Sequence, residues 1–310
     1  MTRSLMMKLI IKMQKRRKLR NVSSGETKSI QETRLEYEKT AKMMHCAKGI
    51  SIEKKNLNGI TAELLLPKDK QSEKIILYLH GGGYLYCSIN THRGLASQIA
   101  QRTQIPVIII DYRKAPENKF PTALDDALYA YKWLITKQSY LPENVIIGGD
   151  SAGGGLSIAT LLKLKELEVS LPKAVFLMSP WVDLTCSGET METKKGEDVI
   201  LDSETLESWA NKYLGEVDPQ NPYASPLFGD LSNLPPIFIQ VGTAEILYSD
   251  AIRLYEKLKE QENLVEIDIW DQMIHVFQLF GAMKFIGKFL PEPKEALAHI
   301  QAFIEKVYQN

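Results

Sequence analysis

The 310-residue chain is 44% hydrophobic, 8% aromatic and 25% charged, the profile of a folded globular protein, which excludes a disordered, collagen-like or low-complexity role. Its formal charge is zero, but residues 1–20 carry eight Lys or Arg and no acid, so the remaining 30 basic residues face all 38 acidic ones, a net of −8. A body that acidic repels polyanions, so no nucleic-acid partner is expected beyond the N-terminal arm. Cys46, Cys87 and Cys186 form no C-x-x-C pair and have no zinc-type spacing with histidine, so neither a disulfide scaffold nor a metal site is expected. No apolar window is long enough to span a bilayer, and Lys8 and Lys12 interrupt the stretch where a signal peptide would be apolar. A cytoplasmic location without stable membrane insertion is expected.

Residues 1–45 read as helical, with Leu5, Met6, Leu9, Ile10 and Met13 on one face and Lys8, Lys12 and Lys15 on others. That pattern fits a helix covering a pocket, or peripheral contact of residues 1–20 with an anionic membrane surface. The run KRRKLR reads as a solvated flank. Eight apolar, β-branched runs follow near residues 50–55, 60–66, 74–79, 106–111, 145–149, 173–178, 236–241 and 265–270. They alternate with helical periodicity, and their near-continuous hydrophobicity predicts a mostly parallel sheet covered on both faces. Helices are expected over 122–137, over 249–262 with Ser249 or Asp250 near the N-cap, and over 295–308. Residues 185–220, with LDSETLESWANKYLG, break the alternation and read as a helical insertion forming a lid with residues 1–45. The fold class is therefore α/β, with one main domain over 46–310.

The most informative segment is NVIIGGDSAGGG, where a strand runs through Gly149-Asp150-Ser151-Ala152-Gly153 straight into a helix. This is the G-x-S-x-G elbow, whose sharp turn exposes a serine hydroxyl at a helix N-terminus. A serine nucleophile needs a base, an orienting acid and an oxyanion site. His80-Gly81-Gly82-Gly83-Tyr84 follows the third strand, and the N–H groups of Gly82 and Gly83 with that of Ala152 are the expected oxyanion donors. The glycines lack the Lys-Ser/Thr of a phosphate loop. His275, beyond the last strand, is the expected base, ahead of His45, His80, His92 and His299. Glu245, in the loop after the seventh strand, is the expected acid, giving the order Ser, Glu, His. Asp250 reads rather as a helix cap and Asp271 as a local turn residue. Asp150 is expected to anchor neighbouring loops, and Tyr84, Leu85 and residues 185–220 to bound the substrate pocket. Cys87 reads as a small buried hydrophobe.

The motifs GDSAGG (149–154), HGGGY (80–84), DYRKAPENKFPTALDD (111–126), SPWVDL (179–184) and MIHVF (273–277) resemble the bacterial hormone-sensitive-lipase family of α/β-hydrolases, over residues 45 to the C-terminus. The resemblance implies an α/β-hydrolase fold with a helical cap, and carboxylesterase activity on small short- to medium-chain esters through an acyl-enzyme. No metal or cofactor is implied, and a homodimer is compatible with it. Amidase or lactonase activity, and a non-catalytic receptor for a small hydrophobic ligand, are the alternatives. The chain departs from the family pattern in having Glu245 where Asp is usual, Cys87 where glycine is common and Gly155 where asparagine is common.

Overall fold

The computed structural model describes residues 4–24, 28–68 and 72–309. Its eight strands are β1 (Ile50–Leu57), β2 (Ile60–Pro67), β3 (Ile75–Leu79), β4 (Val107–Asp111), β5 (Val145–Asp150), β6 (Ala174–Met178), β7 (Ile237–Gly242) and β8 (Val265–Trp270). Each falls within a few residues of its expected place. They form one sheet in the order β1-β2-β4-β3-β5-β6-β7-β8. β2 runs antiparallel to both its neighbours, and all pairs from β4 onward are parallel. The helices are α1 (Leu5–Ser24), α2 (Ile30–Ala41), α3 (Ile89–Thr103), α4 (Thr122–Lys137), α5 (Ala152–Glu166), the single turn α6 (Thr190–Thr193), α7 (Ser203–Leu214), α8 (Tyr248–Glu260) and α9 (Pro291–Gln309).

The central strands explain their own hydrophobicity. Ile75, Leu77 and Leu79 of β3 point into one core with α4, α5 and α8, while Ile76 and Tyr78 point into a second with α3 and α9. Side chains alternate between faces with period two, so a strand covered on both sides must be apolar at every position. A third, smaller cluster joins Met7 and Ile10 of α1 to Val199, Trp270, Ile274, Phe277 and Leu290.

Two expectations are corrected. Neither Ser249 nor Asp250 caps α8: the N-cap is Leu247, without a side-chain hydrogen bond. Asp250 turns inward, and its Oδ2 accepts the Val182 and Asp183 N–H groups at 3.0 and 3.1 Å. The α1 stripe also divides, because Met7 and Ile10 are buried while Leu5, Leu9 and Met13 are exposed.

Candidate active site

Strand β5 ends at Asp150 and α5 starts at Ala152, so Ser151 makes the turn alone, at φ 52° and ψ −123°. A left-handed non-glycine residue costs on the order of 1–3 kcal/mol and persists only where its surroundings over-determine it. Here they do: Ser151 N–H donates to the Met178 carbonyl at 2.9 Å, while its own carbonyl accepts Gly154 and Trp181 N–H groups at 2.9 and 3.0 Å. Gly153 is needed for close approach, since a Cβ there would lie 2.0 Å from the Leu79 carbonyl oxygen. Asp150 anchors loops as expected. Its carboxylate takes the Tyr78 hydroxyl at 2.7 Å and the Gly81 N–H at 3.1 Å, and lies 3.2 Å from His92 Nε2. Burial opposes its charge, but the His92 charge and these hydrogen bonds hold it below the ordinary aspartate value.

The glycine turn after β3 stands beside this elbow because β3 pairs directly with β5. Gly82 and Gly83 have φ of 114° and 61°, and the N–H groups of Gly82, Gly83 and Ala152 have no acceptor among the described residues. Unsatisfied donors at a helix start are what a developing oxyanion needs. His80 is packed into the fold beside the glycine turn. It is buried, its Nδ1 lies 2.7 Å from the Gly81 carbonyl, it stacks on Tyr112 at 4.4 Å, and burial lowers its pKa.

His275 and Glu245 come from the loops after β8 and β7, which are adjacent strands. His275 Nδ1 lies 2.7 Å from Glu245 Oε2, which leaves Nε2 as the free nitrogen. Burial works against a charged ring, but the Glu245 hydrogen bond and charge, with the Asp198 and Asp150 charges behind them, raise the imidazole above its ordinary value. Both side chains are buried, and Ser151 and His275 are only 8% and 7% exposed. Glu245 Oε1 is held in turn by the Gly242 N–H at 2.7 Å and the Ser179 hydroxyl at 2.8 Å. Ser179, after β6, also accepts the Val276 N–H at 3.2 Å, so one hydroxyl joins the acid loop to the histidine loop. Asp198 braces the same loop, accepting the Ile246 N–H at 2.9 Å.

Residues distant in sequence pack around these loops. Lys18 of α1 donates to the carbonyls of Asp198, at 2.8 Å, and Leu201, so the basic run is more than a solvated flank. Arg34 of α2 donates to the Leu85 and Ala115 carbonyls at 2.8 and 2.7 Å and pairs with Glu117. Trp209 of α7 lies on the glycine turn, where a Cβ on Gly83 would sit 2.2 Å from its Cε3. Tyr84 is buried and stacks on Tyr213 at 3.9 Å, and Leu85 lies wholly in the main core. Burial pushes the Cys87 thiol up to about 12, which leaves it protonated and a poor nucleophile. His299 is paired with Asp268 on the surface, and Asp271 lies 3.4 Å from the Thr243 hydroxyl. Among the described residues no group of three or more metal-binding side chains occurs.

A family model for the α/β-hydrolase fold matches residues 76–279. A crystal structure described as an esterase from the bacterial hormone-sensitive-lipase family superposes with a TM-score of 0.90 at 37% identity, covering 99% of each chain. The chain belongs to that family of α/β-hydrolases. The hydrolase is also 38% identical, over 79% of each chain, to an acetyl-hydrolase of Streptomyces hygroscopicus. It is 36% identical, over 82% of each, to an esterase of Acinetobacter venetianus. Sequence reasoning did not reach Ser179, Asp198, Lys18, Arg34 or Trp209. SPWVDL was noted as a motif, and a serine directly after a strand that neighbours the acid strand was the available signal.

Proposed function

We propose that Ser151, His275 and Glu245 form the catalytic triad of this carboxylesterase, with the N–H groups of Gly82, Gly83 and Ala152 as its oxyanion hole. The observation that carries the reading is the 2.7 Å contact of His275 Nδ1 with a buried Glu245, on the strand edge where Ser151 occupies the strained elbow. Ser151 Oγ attacks the ester carbonyl, and its proton passes to His275 Nε2. The three N–H groups hold the tetrahedral oxyanion, and His275 hands the proton to the departing alcohol. Water, deprotonated by His275, then releases the acid and restores the serine. Glu245 holds the ring in the tautomer with a free Nε2 and stabilises the imidazolium.

Short-chain esters are the substrate class. The acetyl-hydrolase relative supports this. We read residues 1–45 and about 185–220 as a cap over the site, supported by the packing of Met7 and Ile10 on Val199 and Ile274 and by the Lys18 contacts. Free thiols at Cys46, Cys87 and Cys186 suit a reducing cytoplasm.

The test is intact-protein mass after organophosphate treatment, with p-nitrophenyl acetate, butyrate and octanoate turnover in parallel. The expected result is one adduct that vanishes in Ser151→Ala, a loss of at least about a thousandfold in kcat, and a preference for the shorter esters. Unchanged turnover in a pure Ser151→Ala sample would sink the assignment.

A further inference from the structure

Helix α1 has two opposed faces. Met7 and Ile10 pack on the body, against Ile274, Phe277 and Leu290. At 100° per residue, Leu5, Leu9 and Met13 lie on the other side, and they are 77%, 48% and 68% exposed. A single exposed leucine needs no explanation, but three apolar residues at i, i+4 and i+8 make an unpartnered stripe. Lys8, Lys12, Lys15 and Arg16 are exposed along it, and no ion pair among the described residues uses any of them. The neighbouring 283–290 segment adds Phe285 and Phe289, 85% and 59% exposed, with Lys288 over the Phe289 ring. Both segments border one buried cluster, which holds Met7, Ile10 and Leu290 with Met6 and Ile286 packed against it, and Ser4 N–H, just before α1, donates to Glu292 at the start of α9 at 2.5 Å.

We propose that this face docks on an anionic lipid bilayer. Apolar side chains interleaved with cations suit the headgroup boundary, where leucine, methionine and phenylalanine enter the acyl region and the ammonium groups meet lipid phosphates. Charge selects the bilayer over a second copy of the chain, because a symmetric α1–α1 contact would set like cations against each other. The rest of the chain, at net −8, is repelled by the same surface, so contact is orientated through α1. Since the inner face of α1 lies on the loop that carries His275, docking brings esters dissolved in lipid close to the site.

The experiment is flotation of the full-length protein with phosphatidylcholine vesicles, with and without about 30% phosphatidylglycerol. Binding is expected only with the anionic lipid and is lost near 0.5 M salt, where the Debye length falls to roughly 4 Å. Leu5→Ser/Leu9→Ser/Met13→Ser and, separately, Lys12→Glu/Arg16→Glu are each expected to weaken it by at least about tenfold, with p-nitrophenyl acetate turnover unchanged. Absence of binding to anionic vesicles would overturn the proposal, as would equal binding by the charge-reversal variant. So would a triple variant that converts a dimer to a monomer by light scattering, since a second copy would then cover the stripe. Should the triple variant fail to fold, the charge-reversal variant decides, because no ion pair among the described residues uses its cations.

Discussion

The Ser179 hydroxyl donates to Glu245 Oε1 at 2.8 Å while accepting the Val276 N–H at 3.2 Å, so Glu245 and the loop carrying His275 share one support. Ser179 touches no reacting atom in the proposed mechanism, and its role is positioning. Ser179→Ala leaves a buried carboxylate oxygen with the Gly242 N–H alone and frees the Val276 N–H, a loss of order 1–3 kcal/mol. We expect kcat for p-nitrophenyl acetate to fall about tenfold or more with KM little changed. A rise in KM at constant kcat would mean that Ser179 shapes the pocket instead.

In the proposed mechanism His275 must be neutral to accept the serine proton, and its environment raises its pKa above 6.5. The rising limb of the kcat/KM profile against pH is therefore expected to have its midpoint above 6.5. Glu245→Gln removes the hydrogen bond and charge that raise the value, so the midpoint moves to lower pH while kcat falls by at least about a hundredfold. A profile that does not move in Glu245→Gln would show that another group titrates.

Gly83 has φ 61°, and a Cβ there would lie 2.2 Å from Trp209 Cε3. Gly83→Ala thus adds steric conflict to backbone strain at a proposed oxyanion donor, and a loss of about a hundredfold in kcat/KM is expected. Adding Trp209→Ala is expected to recover part of that loss and not all of it, because the strain stays. A double-mutant cycle showing strict additivity would separate the indole from the turn.

Asp250 is buried, and desolvation with the neighbouring Asp183 charge pushes its pKa up to about 8. Its Oδ2 accepts two N–H groups, while Oδ1 has no partner among the described residues and is the natural seat of the proton. The unfolded chain gives up this proton near 3.8 and the folded chain near 8. Across that window the native state binds more protons, so raising the pH costs stability. The melting temperature is expected to fall as the pH rises from about 4 to about 8, and Asp250→Asn to flatten the fall. An unaltered slope in Asp250→Asn would assign the dependence elsewhere.

The sheet was legible because burial on both faces leaves runs such as IILYL (75–79) and VIIG (145–148) without a charged residue, a local signal that no tertiary contact needs to supply. The elbow was legible for a related reason: strand, glycine, serine, glycine and helix are adjacent in sequence. Ser179 and Trp209 were not, because their partners lie 66 residues away at Glu245 and across the fold at Gly83. Only the order β5-β6-β7-β8 lines up the loops carrying Ser151, Ser179, Glu245 and His275. Helix α1 was misread because an amphipathic pattern gives an apolar arc without its centre. Packing took the Ile10 and Met7 edge and left Leu5 and Leu9 outside.

The Glu245 carboxylate is gripped by Gly242 N–H, Ser179 and His275 at once. Shortening it by one methylene would break all three contacts together unless the backbone of the loop advanced, and Asp198 pins that backbone through Ile246. The 196–201 segment, through Asp198, therefore sets how far the carboxylate at position 245 has to reach to meet His275.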